Sequence, residues 1–306
     1  AVNGDRVTTT YSAAVDITTL ADTPGAPTLS VASTTGFKVT INSSTNPATT
    51  TFVVRDTAQA TLQYLQSDQT WGTASNTTFT AVQLGAINGT STNGFTTNTI
   101  HRISVAAVNG DRVTSCFGAS ADFTTLADTP GTPTLSAAAI QGFTLVINSS
   151  TNPATTTFVV RDTGGATLQY LQEGGSWGTA SNTTFTAVQL GAITGTTSIQ
   201  LATNTLHRIS VAAVNGDRVT TTYSAAVDIT TLAAAPGTPT LSVASTTGFK
   251  VTINSSTNPA TTTFVVRDTA QATLQYLQSD QTWGTASNTT FTAVQLGAIN
   301  GTSTNG

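Results

Sequence analysis

From Gly36 to Ile41 the chain reads Gly-Phe-Lys-Val-Thr-Ile, with apolar and polar side chains in alternation. A period of two places Phe37, Val39 and Ile41 on one face of a strand and Lys38 and Thr40 on the other. Comparable stretches run from Thr51 to Arg55, Thr61 to Leu65, Thr78 to Leu84, Ile100 to Val108 and Ser12 to Thr18. One more follows Pro27, and Gly, Pro, Asn, Asp and Ser clusters separate them. Seven short strands in about 100 residues, rich in Thr and Val and with no helical stripe, predict an all-β, two-sheet sandwich.

The pattern repeats. Asn-Ser-Ser-Thr-Asn-Pro-Ala-Thr-Thr-Thr-Phe-Val-Val-Arg-Asp stands at Asn42, Asn148 and Asn254, an offset of 106 residues each time. The same offset relates Trp71, Trp177 and Trp283, the segment Ala-Val-Asn-Gly-Asp at Ala1, Ala107 and Ala213, and the linker prolines Pro24, Pro130 and Pro236. Residues 213–306 reproduce residues 1–94 apart from Asp22 against Ala234, Thr23 against Ala235 and Ala26 against Thr238, whereas the middle copy differs more. Such near-identity at a fixed period indicates an array grown by copying. The expected organisation is residues 1–22 as the last strand of a partial module, 24–129 and 130–235 as complete modules, and 236–306 as a partial module lacking its last two strands. That division reads as a window on a longer continuous chain, with strand donation between subunits as the alternative.

Three segments carry a family resemblance. Pro24-Gly25-Ala26-Pro27-Thr28, the stretch His-Arg-Ile-Ser-Val-Ala-Ala-Val-Asn-Gly from His101, and Ser-Ala-Ala-Val-Asp-Ile-Thr-Thr from Ser12 resemble the first, sixth and seventh strands of a fibronectin type III module. The resemblance implies a tandem array of seven-stranded immunoglobulin-like sandwiches, as in giant bacterial surface adhesins or extracellular filament proteins. It also implies a Leu followed six residues later by a Tyr whose hydroxyl closes a corner. Here Leu201 precedes His207 and Phe95 precedes His101, so histidine takes the tyrosine slot. The expected role is a neutral imidazole bonded to backbone in place of the phenol, against the sharper readings of a pH-sensitive corner or a metal ligand. The strand from Phe37 also lacks the core Trp common in that family; Trp71, Trp177 and Trp283 lie later.

Composition narrows the function. Charged residues are 8% of the chain and the net charge is −4, so there is no basic field to gather nucleic acid. No stretch approaches a membrane span. Acids are scattered Asp residues with Glu173 as the one Glu, and no Ser, His and Asp grouping recurs, so no enzyme and no cofactor is expected. Asp22 and Asp128 face Ala234 in the third linker, a poor calcium pattern. Lys38 and Lys250 fall on the solvent face, opposite Thr144 in the middle copy, which argues against isopeptide crosslinks. The lone cysteine, Cys116, replaces Thr10 and Thr222 and reads as a small half-buried side chain rather than a crosslink. Asn-Gly-Asp-Arg at Asn3 and its copies reads as a type I′ turn or a loop between the last two strands, and its Gly-Asp-Arg order does not support integrin-type recognition. Candidate glycosylation sequons stand at Asn42, Asn76, Asn88, Asn148, Asn182, Asn254, Asn288 and Asn300.

The function expected from these features is a structural repeat region of an extracellular or cell-surface stalk, filament or surface layer. Short proline-bearing linkers such as Leu20 to Gly25 limit bending, and each module adds ~35 Å of length. Few charges guard the sheet edges, which favours lateral packing with other copies of the protein. A glycan- or protein-binding adhesin module, reading its ligand through the loops at Gln66 to Thr70 and Asn88 to Asn98, is the alternative, followed by a spacer of a secreted hydrolase. The change from Ser-Asp-Gln-Thr at Ser67 to Glu-Gly-Gly-Ser at Glu173 suits either a binding surface or drift.

Overall fold

A computed structural model describes residues 1–30, 33–86, 94–192, 200–242 and 248–299. The chain divides into two compact units. One holds Ala1–Asp128 with Thr151–Pro153 and Asn215–Thr220; the other holds Thr129–Ser150, Ala154–Val214 and the residues from Thr221 on.

In the first unit, β1 (Thr28–Ser30) and β2 (Lys38–Thr40) form an antiparallel ribbon. The second sheet is built on β3 (Thr51–Asp56), which pairs with β4 (Gln63–Leu65), and β4 with β5 (Trp71–Gly72). The start of β3 also pairs with β6 (Phe79–Thr80), which leads into helix α1 (Ala81–Ala86). Along its other edge β3 pairs over its whole length with β7 (Ile100–Val108), and β7 with β8 (Ala121–Thr124). The sheet order is therefore β5-β4-β3-β7-β8, all antiparallel.

Alternation sets what is buried. Phe37 and Val39 from the ribbon side meet Phe52 and Val54 of β3, Leu65, Phe79, Leu84 of α1, Phe95, and Ile103, Val105 and Ala107 of β7. Phe37 and Phe52 are each 1% exposed, and full burial of such a side chain stabilises by about 1.5–3 kcal/mol. The opposite face of β3 and β7 is covered too: Val53, Ser104 and Ala106 are buried. There the Nε of Arg55 donates to Ser104 Oγ at 2.9 Å, and its guanidinium stacks 3.7 Å from the Phe117 ring centroid.

Two expectations change. The stretch from Thr78 to Leu84 is not one strand but a two-residue strand followed by a helical turn and a half. The cause is a capping box: Thr80 Oγ1 accepts from the Gln83 N–H at 3.2 Å, and Gln83 Oε1 accepts from the Thr80 N–H at 2.8 Å. Leu84 is thereby turned into the core, while Val82 is 81% exposed. Among the described residues this unit has eight strands, β1 to β8, where seven were expected of a module. Ser12 to Thr18 forms no strand either; Val15 and Ile17 are about nine-tenths exposed, whereas their counterparts 106 residues on lie in β8.

The second unit contains β9 (Gly131–Ala139) and β10 (Gly142–Asn148), a longer antiparallel ribbon with two register shifts. Next come β11 (Thr157–Asp162), β12 (Gln169–Leu171), a short 3-10 turn at Glu173–Gly175, β13 (Trp177–Gly178), β14 (Phe185–Thr186), α2 (Ala187–Ala192), β15 (Leu206–Val214) and β16 (Val227–Thr230). Their sheet order, β13-β12-β11-β15-β16 with β14 on β11, repeats that of the first unit. Further on, β17 (Gly237–Ser242) pairs with β18 (Lys250–Asn254). The strands β19 (Thr263–Phe264), β20 (Arg267–Asp268), β21 (Gln275–Leu277), β22 (Trp283–Gly284) and β23 (Phe291–Thr292) precede α3 (Ala293–Ala298). Here β19 pairs with β23, and β20, β21 and β22 make a separate sheet.

Candidate functional site

The two histidines sit where alternation on β7 and β15 points them into the core. His101 is 1% and His207 5% exposed. Each meets a carboxylate from the neighbouring strand: His101 Nδ1 lies 2.7 Å from Asp56 Oδ2, and His207 Nδ1 lies 2.6 Å from Asp162 Oδ2. The partner is thus a buried side chain, not backbone as expected. The other carboxylate oxygen accepts from two backbone N–H groups, those of Ala58 and Arg102 at Asp56, and those of Gly164 and Arg208 at Asp162. Burial pushes both carboxyls up, but the imidazole and these two N–H donors outweigh it and hold each below the ordinary carboxylate value.

A carboxylate only accepts, so Nδ1 must carry the proton it shares with the aspartate. Gln59 Nε2, 3.2 Å from His101 Nδ1, therefore directs its donor to the Ile100 carbonyl at 3.1 Å. The middle copy has Gly165 in place of Gln59, and its histidine keeps the aspartate alone. Nε2 of both histidines is buried without a partner. Around His101 the wall is aromatic, with ring centroids of Phe95 at 3.7 Å and Phe37 at 5.7 Å. The geometry resembles the orienting half of a catalytic dyad, yet Nε2 of each histidine has no hydrogen-bond partner; what the pairs can do is pin β3 to β7 and β11 to β15 at the core. Among the described residues no group of three or more His, Cys, Asp and Glu lies close enough to share a metal, and no helix is long and apolar enough to cross a membrane.

Trp71, Trp177 and Trp283 are half-buried on the short strands β5, β13 and β22. Trp71 packs on Phe95 at 4.9 Å and on Phe37 at 6.5 Å between ring centroids, and Trp283 lies 6.2 Å from Phe249. Pro24 and Pro130 are buried and Pro236 is exposed. Cys116 is exposed.

The linkers are held by side chains that sequence reading passed over. Asn46 Oδ1 accepts from the Asp22 N–H and Asn46 Nδ2 donates to the Asp22 carbonyl, both at 2.8 Å. Asn152 does the same to Asp128 at 2.7 Å, and Asn258 to Ala234 at 2.8 Å. The clamp grips backbone, which explains why Ala234 can replace the acid. The Asp22 carboxylate is instead occupied by Ser44 Oγ at 2.8 Å and Thr45 Oγ1 at 3.0 Å, and these hydroxyls lower its pKa. The recurring Asn-Pro after Asn-Ser-Ser-Thr was the available signal.

The Asn-Gly-Asp-Arg segments build a second brace inside the first unit. Asn109 Oδ1 accepts from the N–H of Asp111 and Val113, and the left-handed residue is Arg112 (φ 62°), so the turn is not type I′, which needs positive φ at both central residues. Asp111 Oδ2 accepts from the Thr18 N–H at 3.0 Å, and Asp217 Oδ2 accepts from the Thr124 N–H at 2.9 Å. A Cβ on Gly110 or Gly216 would stand 3.2 Å from the Thr18 or Thr124 hydroxyl, so each turn lies close against the segment it braces.

Antiparallel order β5-β4-β3-β7-β8 facing a β1-β2 ribbon across an aromatic core defines the class: all-β, with repeated antiparallel β-sandwich units. No protein-family model and no curated protein matches the chain. Among solved structures it is similar to the FN1–FN3 domains of chicken CNTN1, at 11% identity over 89% of this chain and 85% of that one, with a TM-score of 0.25. With so low a score, the strand order carries the assignment of class.

Proposed function

We propose that the chain is a structural repeat region of an extracellular stalk, filament or surface-layer protein, acting as a semi-rigid spacer and packing laterally with other copies of itself. The modules are residues 24–129 and 130–235, flanked by parts of two more. The observation that supports this most is the asparagine clamp on linker backbone, present with the same two hydrogen bonds at Asp22, Asp128 and Ala234. A spacer needs each connection fixed in the same way, and a clamp indifferent to the linker side chain does that through rounds of copying. The Asp111 and Asp217 braces add a second fixed point beside two of those linkers. The buried His-Asp pairs, walled from solvent, serve cohesion of each sandwich rather than chemistry.

Small-angle scattering of the full chain tests the spacer role: the maximum dimension stays long and unchanged between low and high salt, and the Asn152→Gly variant gives a broader distance distribution. A compact particle, or a variant indistinguishable from the parent, overturns it. Light scattering over rising concentration tests lateral packing; a strictly monomeric chain counts against that part.

A further inference from the structure

The sequons fall into two structural classes, each seen three times. Asn42, Asn148 and Asn254 are built into a tight turn. Their Oδ1 accepts from the N–H two residues on, at 3.3, 3.2 and 3.1 Å. The residue supplying the sequon hydroxyl is left-handed in every copy: Ser44 (φ 57°), Ser150 (φ 57°) and Ser256 (φ 56°). Their amide nitrogens lie only 2.2, 2.2 and 2.3 Å from where a Cβ would stand on Gly25, Gly131 and Gly237, so each is pressed onto a linker glycine. In the first copy the Ser44 hydroxyl is already spent on Asp22.

Asn76, Asn182 and Asn288 are different. They lie in irregular loops after the Trp-Gly strands β5, β13 and β22; the Asn and the hydroxyl residue are exposed in both classes, so what separates the two is the left-handed turn and the packing on a linker glycine. Asn76 also lines a cleft of ≈ 930 Å³ in the first unit, together with Ser75, Thr49, Thr51 and Asn109. Hydroxyl and amide groups there suit the first sugars of a chain. Asn88 and Asn300 lie outside the described residues.

We propose that Asn76, Asn182 and Asn288 are N-glycosylation acceptors of the folded chain, and that the Asn42, Asn148 and Asn254 sequons are closed. In the reaction the amide Nδ2 attacks the anomeric carbon of a diphosphate-activated sugar. The C–N bond forms as the anomeric C–O bond breaks, the amide proton is lost, and the diphosphate carrier leaves. The transferase and the activated sugar are external. Modification in the cell rests on the extracellular reading above, but the acceptor geometry does not.

A purified, soluble N-glycosyltransferase with a nucleotide-activated hexose separates the two. Incubated with the native chain and read by peptide mass spectrometry, it adds hexose at Asn76, Asn182 and Asn288 at least tenfold faster than at Asn42, Asn148 and Asn254. In urea-unfolded chain that difference collapses, and Asn76→Gln removes the increment at that site alone. Equal occupancy of both classes in native protein overturns the proposal. So does a bare Asn76 class when an unstructured peptide of the same sequence accepts the sugar. Neither result bears on whether the protein is exported, which is read separately from the fractionation of the native host.

Discussion

The hexapeptide Thr-Phe-Val-Val-Arg-Asp occurs three times, and in one of the three it is a different structure. At Thr51–Asp56 and Thr157–Asp162 it is an unbroken strand, with Val53 and Val159 only 4% and 3% exposed. From Thr263 to Asp268 the same residues split into β19 and β20, and Val265 is 46% exposed. The pairings on one edge survive in all three: Phe264 meets Phe291 as Phe52 meets Phe79, and Arg267 meets Tyr276 as Arg55 meets Tyr64. What differs is the other edge, where β7 and β15 run alongside the first two and no described strand runs alongside the third. Strand state at Val53 and Val54 is thus supplied by a neighbour about 50 residues away, not by β propensity.

The harshest way to break the contrast is to make the covered region resemble the uncovered one. Ala107 turns its N–H to Ser115 Oγ on one edge of β7, so by alternation Ala106, opposite Val53, turns its N–H to β3. Ala106→Pro removes that bond in a central strand. The expected loss approaches the full stability of a domain, on the order of 5–15 kcal/mol. Hydrogen exchange should show the amides of Val53 and Val54 becoming as labile as those of Val265 and Val266; continued protection would refute the neighbour argument.

A smaller effect comes from the buried pair. Asp56→Ala strands the His101 imidazole and two backbone N–H groups in the core, at a cost of about 3 kcal/mol. The equivalent Asp268 is half-exposed and meets no histidine, so Asp268→Ala should cost about 0.5 kcal/mol. Urea titrations of the two variants settle the ratio. The pair also makes the covered region acid-sensitive. Because Asp56 and Asp162 titrate below their unfolded value, the stability they contribute is complete above that value and is lost as pH falls through the folded one. The gap between parent and Asp56→Asn should therefore narrow as pH falls below the ordinary carboxylate range.

Sequence alone carries the short-range half of this. Alternation at Gly36 to Ile41 placed Phe37, Val39 and Ile41 inward; Phe37 and Val39 are buried and Ile41 packs half-buried against the same core. The imidazole at His101 was visible as an anomaly, but its partner Asp56 stands 45 residues earlier and nothing local links them. The helix at Ala81–Ala86 was legible in principle, since Thr-Ala-Val-Gln is a capping box; the apolar run around it read as a strand because period alone cannot separate two such short elements. The Asp111 brace on Thr18 spans 93 residues and was hidden for the same reason as the His-Asp pair.

The mildest test uses a feature that the two regions share. Asn258 clamps the Ala234 backbone as Asn46 clamps that of Asp22, although the hexapeptide beyond it is split in one case and whole in the other. The clamp needs only the turn from Ser43 to Asn46, or from Ser255 to Asn258, in which the asparagine Nδ2 also donates to the serine carbonyl at 2.7 or 2.8 Å. It should therefore be indifferent to what lies along the far edge of the sheet. Asn46→Ala and Asn258→Ala are expected to lose about 1–2 kcal/mol each, by the same amount within error, with faster amide exchange at Asp22 and Ala234. Asp22→Ala, which leaves the clamp whole, should not shift the urea midpoint. If Asn258→Ala proved silent while Asn46→Ala did not, the clamp would depend on the completed sheet, and the division between neighbour-made strands and locally made turns would fail.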